Sequence, residues 1–322
     1  MTKTPLTNSK VLAEGAMLVL LTSVLYFINT YVVFLIWLVP IPLAVFCYRY
    51  GAKWASMCWI LAAVLIGMIL GPVEGLNALI MLPLIGIACG TVLRRKFSDF
   101  KSIMICFFAI LLSFGISLGT TALITGVSPK EVGNGMVVML DETSAAVREQ
   151  YFEMNINEFT ASDFADSFDR LIQTMKDIFV AAALLACLAF SVLLLNFTRY
   201  ILNRLNVDVN KPLPFEMWAI SWKYIWILAV GLLLYIIGNW LGNSVVNLIG
   251  VNVLVIAYAI YLIGGISLLL YIFKEKKLSS VALGLFVAAM ILTNLQYIIA
   301  ALAVADGWLN IRKRMSDGKK NS

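Results

Sequence analysis

Residues 126–177 read GVSPKEVGNGMVVMLDETSAAVREQYFEMNINEFTASDFADSFDRLIQTMKD, the one long stretch of this chain whose composition suits water. It holds ten of the 18 carboxylates (Glu131, Asp141, Glu142, Glu149, Glu153, Glu158, Asp163, Asp166, Asp169 and Asp177) and only four basic side chains. The other Lys and Arg residues fall nearly all in short clusters between apolar runs. Short cationic loops are held in the cytoplasm, while long acidic segments cross, so this asymmetry is the mark of a multi-spanning membrane protein. The acidic stretch is expected outside, and every other loop takes its side by alternation from it.

Working outward, the chain is 61% hydrophobic and 13% charged, with a mean hydropathy of +0.93. Val11–Tyr48 carries one charge, and Ile103–Pro129, Ile178–Thr198 and Tyr224–Phe273 carry none. Such runs exceed the ~20 apolar residues that a helix needs to cross the hydrocarbon. They are continuous, not alternating as the strands of a membrane barrel would be. The expected fold is therefore all-α, a polytopic transmembrane helical bundle of about 8–10 membrane helices.

The net charge of +6 needs no nucleic-acid partner, because the basic residues sit at span ends, facing the headgroups of the lipid bilayer. Cys47, Cys58, Cys89, Cys106 and Cys187 all lie in apolar runs without metal-ligand spacing, and histidine is absent. Neither a disulfide framework, a metal site nor a cofactor is expected. No paired intramembrane carboxylates or nucleophile–base pair suggest an enzyme.

In chain order, span 1 is Val11–Ile28, read as retained because no small-x-small cleavage site closes the run. Span 2, Tyr31–Tyr48, is bent or shortened by Pro40 and Pro42. Span 3 is Trp54–Leu70, and the turn Gly71-Pro72-Val73-Glu74-Gly75 leads to span 4, Leu76–Leu93. Span 5 runs from about Ser102 to Thr125. In the acidic stretch, Glu142–Met154 suits one outer helix. A second begins at Ser162 and continues without a visible breaker into span 6, Phe179–Phe197. After the proline-bearing linker Asp208–Trp218 come span 7, Trp222–Trp240, and span 8, Val246–Phe273. Leu278–Trp308 is ambiguous. One span would carry the tail's five basic residues outside, while two short helices broken at Thr293-Asn294 keep it inside; charge favours the broken pair. Two domains follow: residues 1–205 with the acidic insertion 126–177, and residues 206–322.

Several polar features have a bland and a sharp reading. Glu14, the only charge in spans 1 and 2, suits helix-end capping better than proton relay. On span 5, Ser113, Ser117 and Thr121, with Gly115 and Gly119, mark either close helix packing or the wall of a polar cavity. Asn239, Asn243, Asn247 and Asn252 suit interhelical glue, with a ligand role as the alternative. Asp163, Asp166 and Asp169 suit a solvated face better than a cation site, since no calcium-loop spacing surrounds them. Asn196-Phe197-Thr198 fits the glycosylation pattern but lies at a span's inner end.

A wider pattern joins Glu14-Gly15-Ala16, Pro40-x-Pro42, Tyr48-Arg49-Tyr50-Gly51, the 71–75 turn, Pro83, Gly86-x-x-x-Gly90 and Arg94-Arg95. It continues in Arg199-x-x-Leu202-x-Arg204-Leu205 and ends in Asp306-Gly307-Trp308-Leu309-x-x-Arg312-Lys313-Arg314. In this order the chain resembles the YybS-like family of uncharacterised bacterial membrane proteins. Its first 205 residues are also similar in layout to the S-components, the substrate-binding subunits of energy-coupling-factor vitamin transporters. It departs from them where Ala-x-x-x-Asn would stand on helix 1, since Ala16 is followed by Leu20 and Ala13 by Met17.

That likeness implies a six-helix unit in the bacterial cytoplasmic membrane, both its ends inside, and a small-molecule ligand held in the outward half. By depth and polarity the pocket candidates are Glu74, Asn77, Thr120, Thr121 and Asp169. The competing expectation is a non-transporting scaffold or regulator that acts through a transporter or membrane-signalling protein partner. The YybS-like resemblance implies a membrane-bound cyclic-dinucleotide phosphodiesterase as a candidate.

Overall fold

The computed structural model describes residues 8–153 and 158–320, and within them all regular structure is helical. Thirteen α-helices follow in order: α1 Asn8–Asn29, α2 Ile41–Tyr50, α3 Ala52–Leu70, α4 Pro72–Arg94, α5 Asp99–Thr125, α6 Pro129–Glu153 and α7 Glu158–Asp177. The rest are α8 Phe179–Arg204, α9 Ile225–Trp240, α10 Ser244–Glu275, α11 Ser280–Leu292, α12 Gln296–Leu309 and α13 Ile311–Lys320. Seven described helices are long and apolar enough to cross a membrane (α1, α3, α4, α5, α8, α9 with its leading turn, and α10), and α11–α12 make an eighth if that bent pair is one span. The polytopic helical bundle is thus the fold, at the low end of the expected number.

The chain packs as two compact units. One takes the chain up to Met139 with Ala186–Pro212; the other takes Leu140–Leu185 with the chain from Leu213 onward. By packing, residues 140–185 of the acidic region and the start of α8 therefore group with the C-terminal helices.

In the first unit the expected span 2 is not a continuous helix. A 3₁₀ turn, Val33–Trp37, precedes α2, whose ten residues begin where the two prolines stand. Ten residues rise only about 15 Å, half the hydrocarbon thickness. Short as it is, α2 lies at the centre: Ile41, Ala44 and Val45 form one core with Ile85, Cys89 and Val92 of α4, Cys106 and Ile110 of α5, and Leu194 and Leu202 of α8. Gly90 permits this, since a Cβ there would stand 2.5 Å from the Ala44 carbonyl oxygen.

The segment still returns to the end where the chain entered. Val39 packs with Leu25 and Tyr26 near the far end of α1. At the other end the Tyr50 hydroxyl donates to Glu14 Oε2 at 2.7 Å, and Arg49 Nη1 lies 2.6 Å from the same oxygen. Gly51, at φ 95°, turns the chain into α3 and leaves room for the Arg94 guanidinium, which a Cβ would meet at 2.4 Å. Asp99 and the buried Arg199 pair at this same end. Tyr48 adds a hydrogen bond from its hydroxyl to the Asp208 carbonyl at 3.0 Å. Several residues that carried the family resemblance, namely Glu14, Tyr48, Arg49, Tyr50, Gly51, Arg94 and Arg199, thus make the contacts that close one basic end of the unit. Thr198, in the apparent glycosylation sequence, is fully buried against Cys89.

Around the acidic region, α6 is longer than the expected 142–154. Ser128 N–H donates to Glu131 Oε2 at 2.7 Å and Glu131 N–H to Ser128 Oγ at 3.3 Å. This is a reciprocal capping box, and these bonds hold the Glu131 carboxyl below its ordinary pKa. The helix expected from Ser162 begins earlier, and it does not run unbroken into span 6, because Ile178 interrupts α7 and α8.

In the second unit α9 and α10 pack backbone to backbone. A Cβ on Gly238 would meet Asn247 N at 2.4 Å, and one on Gly250 would meet Tyr235 N at 2.4 Å. The Leu278–Trp308 ambiguity falls to the broken pair: α11 and α12 are bent by 116° at a break holding Asn294 in the left-handed region, φ 57°. The chain then comes back to α10's later turns, where Tyr271 donates to the Arg312 carbonyl at 3.2 Å and Arg312 Nη2 reaches Ser267 Oγ at 3.2 Å. Arg312 Nε also lies 3.2 Å from Asp306 Oδ2, both side chains mostly buried. Burial holds the Arg312 pKa down, and the Asp306 charge works against that shift.

Gly265 faces α12 so closely that a Cβ would stand 1.9 Å from the Ile299 carbonyl oxygen, whereas Gly119 on α5 has nothing within 4 Å. Gly265→Ala is expected to destabilise the protein by about 3 kcal/mol or more, at the upper end of overpacking effects. Gly119→Ala should be neutral or stabilising by up to about 1 kcal/mol. Thermal unfolding of both variants in the same detergent checks the contrast; equal melting temperatures would contradict the α10–α12 contact.

Candidate functional site

The second unit contains a cleft of about 470 Å³ beside the turn that joins α9 to α10. Its position follows from local chemistry. Trp240 ends α9, Gly242 takes a left-handed φ of 62°, and Asn243 begins α10 as its N-cap. The Asn243 side-chain oxygen accepts from the N–H groups of Val245 and Val246, each at 3.1 Å, leaving its NH₂ as the free function. Capping residues do this because the first N–H groups of a helix have no partner within it. The close Gly238–Asn247 approach brings Asn239, Asn243, Ser244 and Asn247 around one opening.

The fourth wall comes from α7, whose last residue, Asp177, lines the same cleft. Its carboxylate accepts from Gln173 Nε2 at 2.9 Å, one turn back. Its backbone carbonyl accepts from Asn252 Nδ2 at 2.7 Å, while Asn252 Oδ1 accepts from Ala181 N–H at 2.7 Å. One buried amide therefore serves a carbonyl at the end of α7 and an N–H at the start of α8. Of the four asparagines, Asn252 is the interhelical glue and the other three face the opening.

The five positions expected from depth and polarity lie elsewhere. Glu74, in the first turn of α4, accepts a 2.8 Å bond from the Tyr26 hydroxyl. Asn77 stands about one turn on, its side-chain oxygen buried without a hydrogen-bond partner. Thr120 on α5 turns its hydroxyl back to the carbonyls of Ile116 and Ser117, at 2.9 and 3.0 Å, and half-buried Thr121 follows it. Asp169, on α7 in the other unit, accepts from the Ser144 hydroxyl at 2.8 Å. Ser113 of the small-residue stripe on α5 is buried against α4, donating to the Met81 carbonyl at 3.0 Å. A crevice of about 10 Å³ in the first unit, between Leu18, Phe46 and Trp59, is too small for a solute. Neither it nor the cleft is lined by any of the five. The side chain of Asp163 lies outside the described residues, and among those described no three His, Cys, Asp or Glu side chains are placed to hold a metal ion.

The asparagine spacing marked the cleft's rim in the sequence. Nothing local marked Asp177 as its wall, because α7 and α10 meet only in three dimensions.

A family profile described as "Predicted membrane protein (DUF2232)" matches residues 16–307. No curated protein and no solved structure matches the chain.

Replacing Asn252 by Leu keeps the volume and strands the Asp177 carbonyl and the Ala181 N–H. A cost of about 1–3 kcal/mol is expected, read as a lower melting temperature with faster amide exchange confined at first to residues 177–182. Unchanged exchange there would show that the amide does not hold the break.

Proposed function

The chain belongs to the DUF2232 family of predicted membrane proteins, and on that footing we propose that it is a transport-related subunit that binds a small polar solute in the α9–α10 cleft. The observation that carries this reading is the cleft itself. Its volume lies in the range of solute sites, and its wall mixes apolar contact with a few convergent polar groups. The first unit supports the S-component likeness in one respect: the start of α1 and the end of α8 share the basic end, as a six-segment unit with both ends inside requires. The solute itself belongs to the second unit in this reading.

We place the protein in a bacterial cytoplasmic membrane with the N-terminus, Arg94–Lys96, Lys274–Lys277 and the Arg312 tail inside, and residues 126–177 outside. The charge asymmetry of the loops supports this orientation. Ala145 is exposed on α6, so Ala145→Cys should react with an impermeant maleimide on whole cells. Reaction only after permeabilisation would invert the topology.

The alternative, a scaffold acting through another transporter or membrane-signalling protein such as the phosphodiesterase that the YybS-like resemblance implies, draws on a different feature. On α7, which carries five of the chain's carboxylates, Leu171 and Met175 are exposed. Native mass spectrometry of the protein released from nanodiscs separates the two readings. A retained small molecule, lost in Ser244→Trp, is the expected result, since Ser244 lies exposed on the cleft wall. A retained protein subunit with no small molecule would replace this reading by the scaffold.

A further inference from the structure

The chemistry of the cleft narrows its ligand. Among the described residues that line it, Asp177 is the only ionisable side chain; the rest are Asn, Ser, Gly, Val and Leu. Among the described residues no base compensates it: the contact of the Asp177 carboxylate is the neutral Gln173 amide. The cleft therefore presents an unneutralised negative charge at one wall. Anions are repelled, and a cation entering it supplies what the fold omits.

Size and hydrogen bonding refine the class. About 470 Å³ is far more than a bare ion fills, and suits a solute of many heavy atoms. Asn239, Asn247 and Ser244 each offer both donor and acceptor, while the Asn243 side chain, its oxygen occupied by α10, offers donors alone. Hydroxyl groups match such a wall because they also do both. Among the described residues no aromatic side chain lines the cleft, which leaves no ring face to hold a quaternary ammonium. A primary ammonium, by contrast, can donate charge-assisted hydrogen bonds to Asp177.

We propose that the cleft binds a primary ammonium group carried on a hydroxyl-bearing solute, with Asp177 as the counter-charge and the Asn239–Asn247 rim reading the hydroxyls. This rests on the solute-binding reading above and names its substrate class. A free amino sugar or amino alcohol carries both groups.

The test uses the full-length protein in phosphatidylcholine nanodiscs and three probes of one shape: glucosamine at a pH where its amine is charged, glucose, and glucuronate. Calorimetric titration should show glucosamine bound at least tenfold more tightly than glucose, and glucuronate not bound. Asp177→Asn, which keeps the side chain's shape and its Gln173 neighbour, should bring glucosamine down to the level of glucose, and Asp177→Glu should restore part of the difference. Glucose or glucuronate binding as well as glucosamine overturns the ammonium assignment. So does failure of all three probes, and a small molecule still retained in the native mass spectrum then leaves solute binding standing. With no retained molecule either, both readings fall.

Discussion

Hydrocarbon offers no hydrogen-bond partner, so every backbone N–H and C=O at membrane depth must be paired by the protein itself. Most of this chain meets the constraint in the simplest way, with long uninterrupted helices. The informative places are the interruptions, because each must supply partners from somewhere else. At the first, Pro40 and Pro42 begin α2, where the missing donors of proline cost nothing, and the helix sits in the most buried part of its unit. At Thr293-Asn294 the Thr293 hydroxyl turns back to the Ala289 carbonyl at 2.7 Å, and Asn294 accepts the left-handed conformation. At Ile178 no local residue does the work; the Asn252 amide on another helix does.

Charge is handled by the same logic. Within the first unit Glu14 meets Arg49 and Tyr50, and Asp99 meets Arg199; within the second, Asp306 meets Arg312 and Glu216 meets Lys274. The Glu216 carboxyl is held below its ordinary pKa chiefly by that lysine. Exposed pairs of this kind contribute little to stability. The mostly buried Asp306–Arg312 pair differs, since losing either partner leaves a charge stranded away from water. It also fixes where α12 ends and how the tail returns, through the contacts of Arg312 with Gly264 and Ser267.

Much of the fold was legible because membrane helices announce themselves by length and by absence of charge. The uncharged run Tyr224–Phe273 could be only long helices, and Leu278–Trp308 was too short for two spans yet too basic at its end for one. Its break at Thr293-Asn294 followed from that conflict. The break at Ile178 was invisible, since the apolar face of α7 runs into α8 without glycine or proline. The residue that grips it lies far along the chain. Likewise Glu14, Asp99 and Arg199 showed in sequence only which end of the bundle they mark, not which partner each meets. For the site, the asparagines around the α9–α10 turn were visible as a cluster. Depth and polarity, which singled out Glu74, Asn77, Thr120, Thr121 and Asp169, do not say where neighbouring helices stand apart, and a cavity is made by that spacing.

The placement of the cleft next to the α7–α8 break joins these two features in one residue. Asp177 lines the cleft and gives its carbonyl to Asn252, which lies just beyond Leu248 and Val251 of the cleft's α10 wall. A helix that ran on through residue 178 would pair that carbonyl within itself and carry the next residues along one axis. Interrupting it there costs backbone hydrogen bonds that one buried amide recovers only in part. What the interruption gains is a helix terminus at the cleft, with its last residue in the wall. Local features that oppose stability are expected where a site is being built, and here the helix break, the glycine-close α9–α10 packing and the uncompensated carboxylate coincide at one opening.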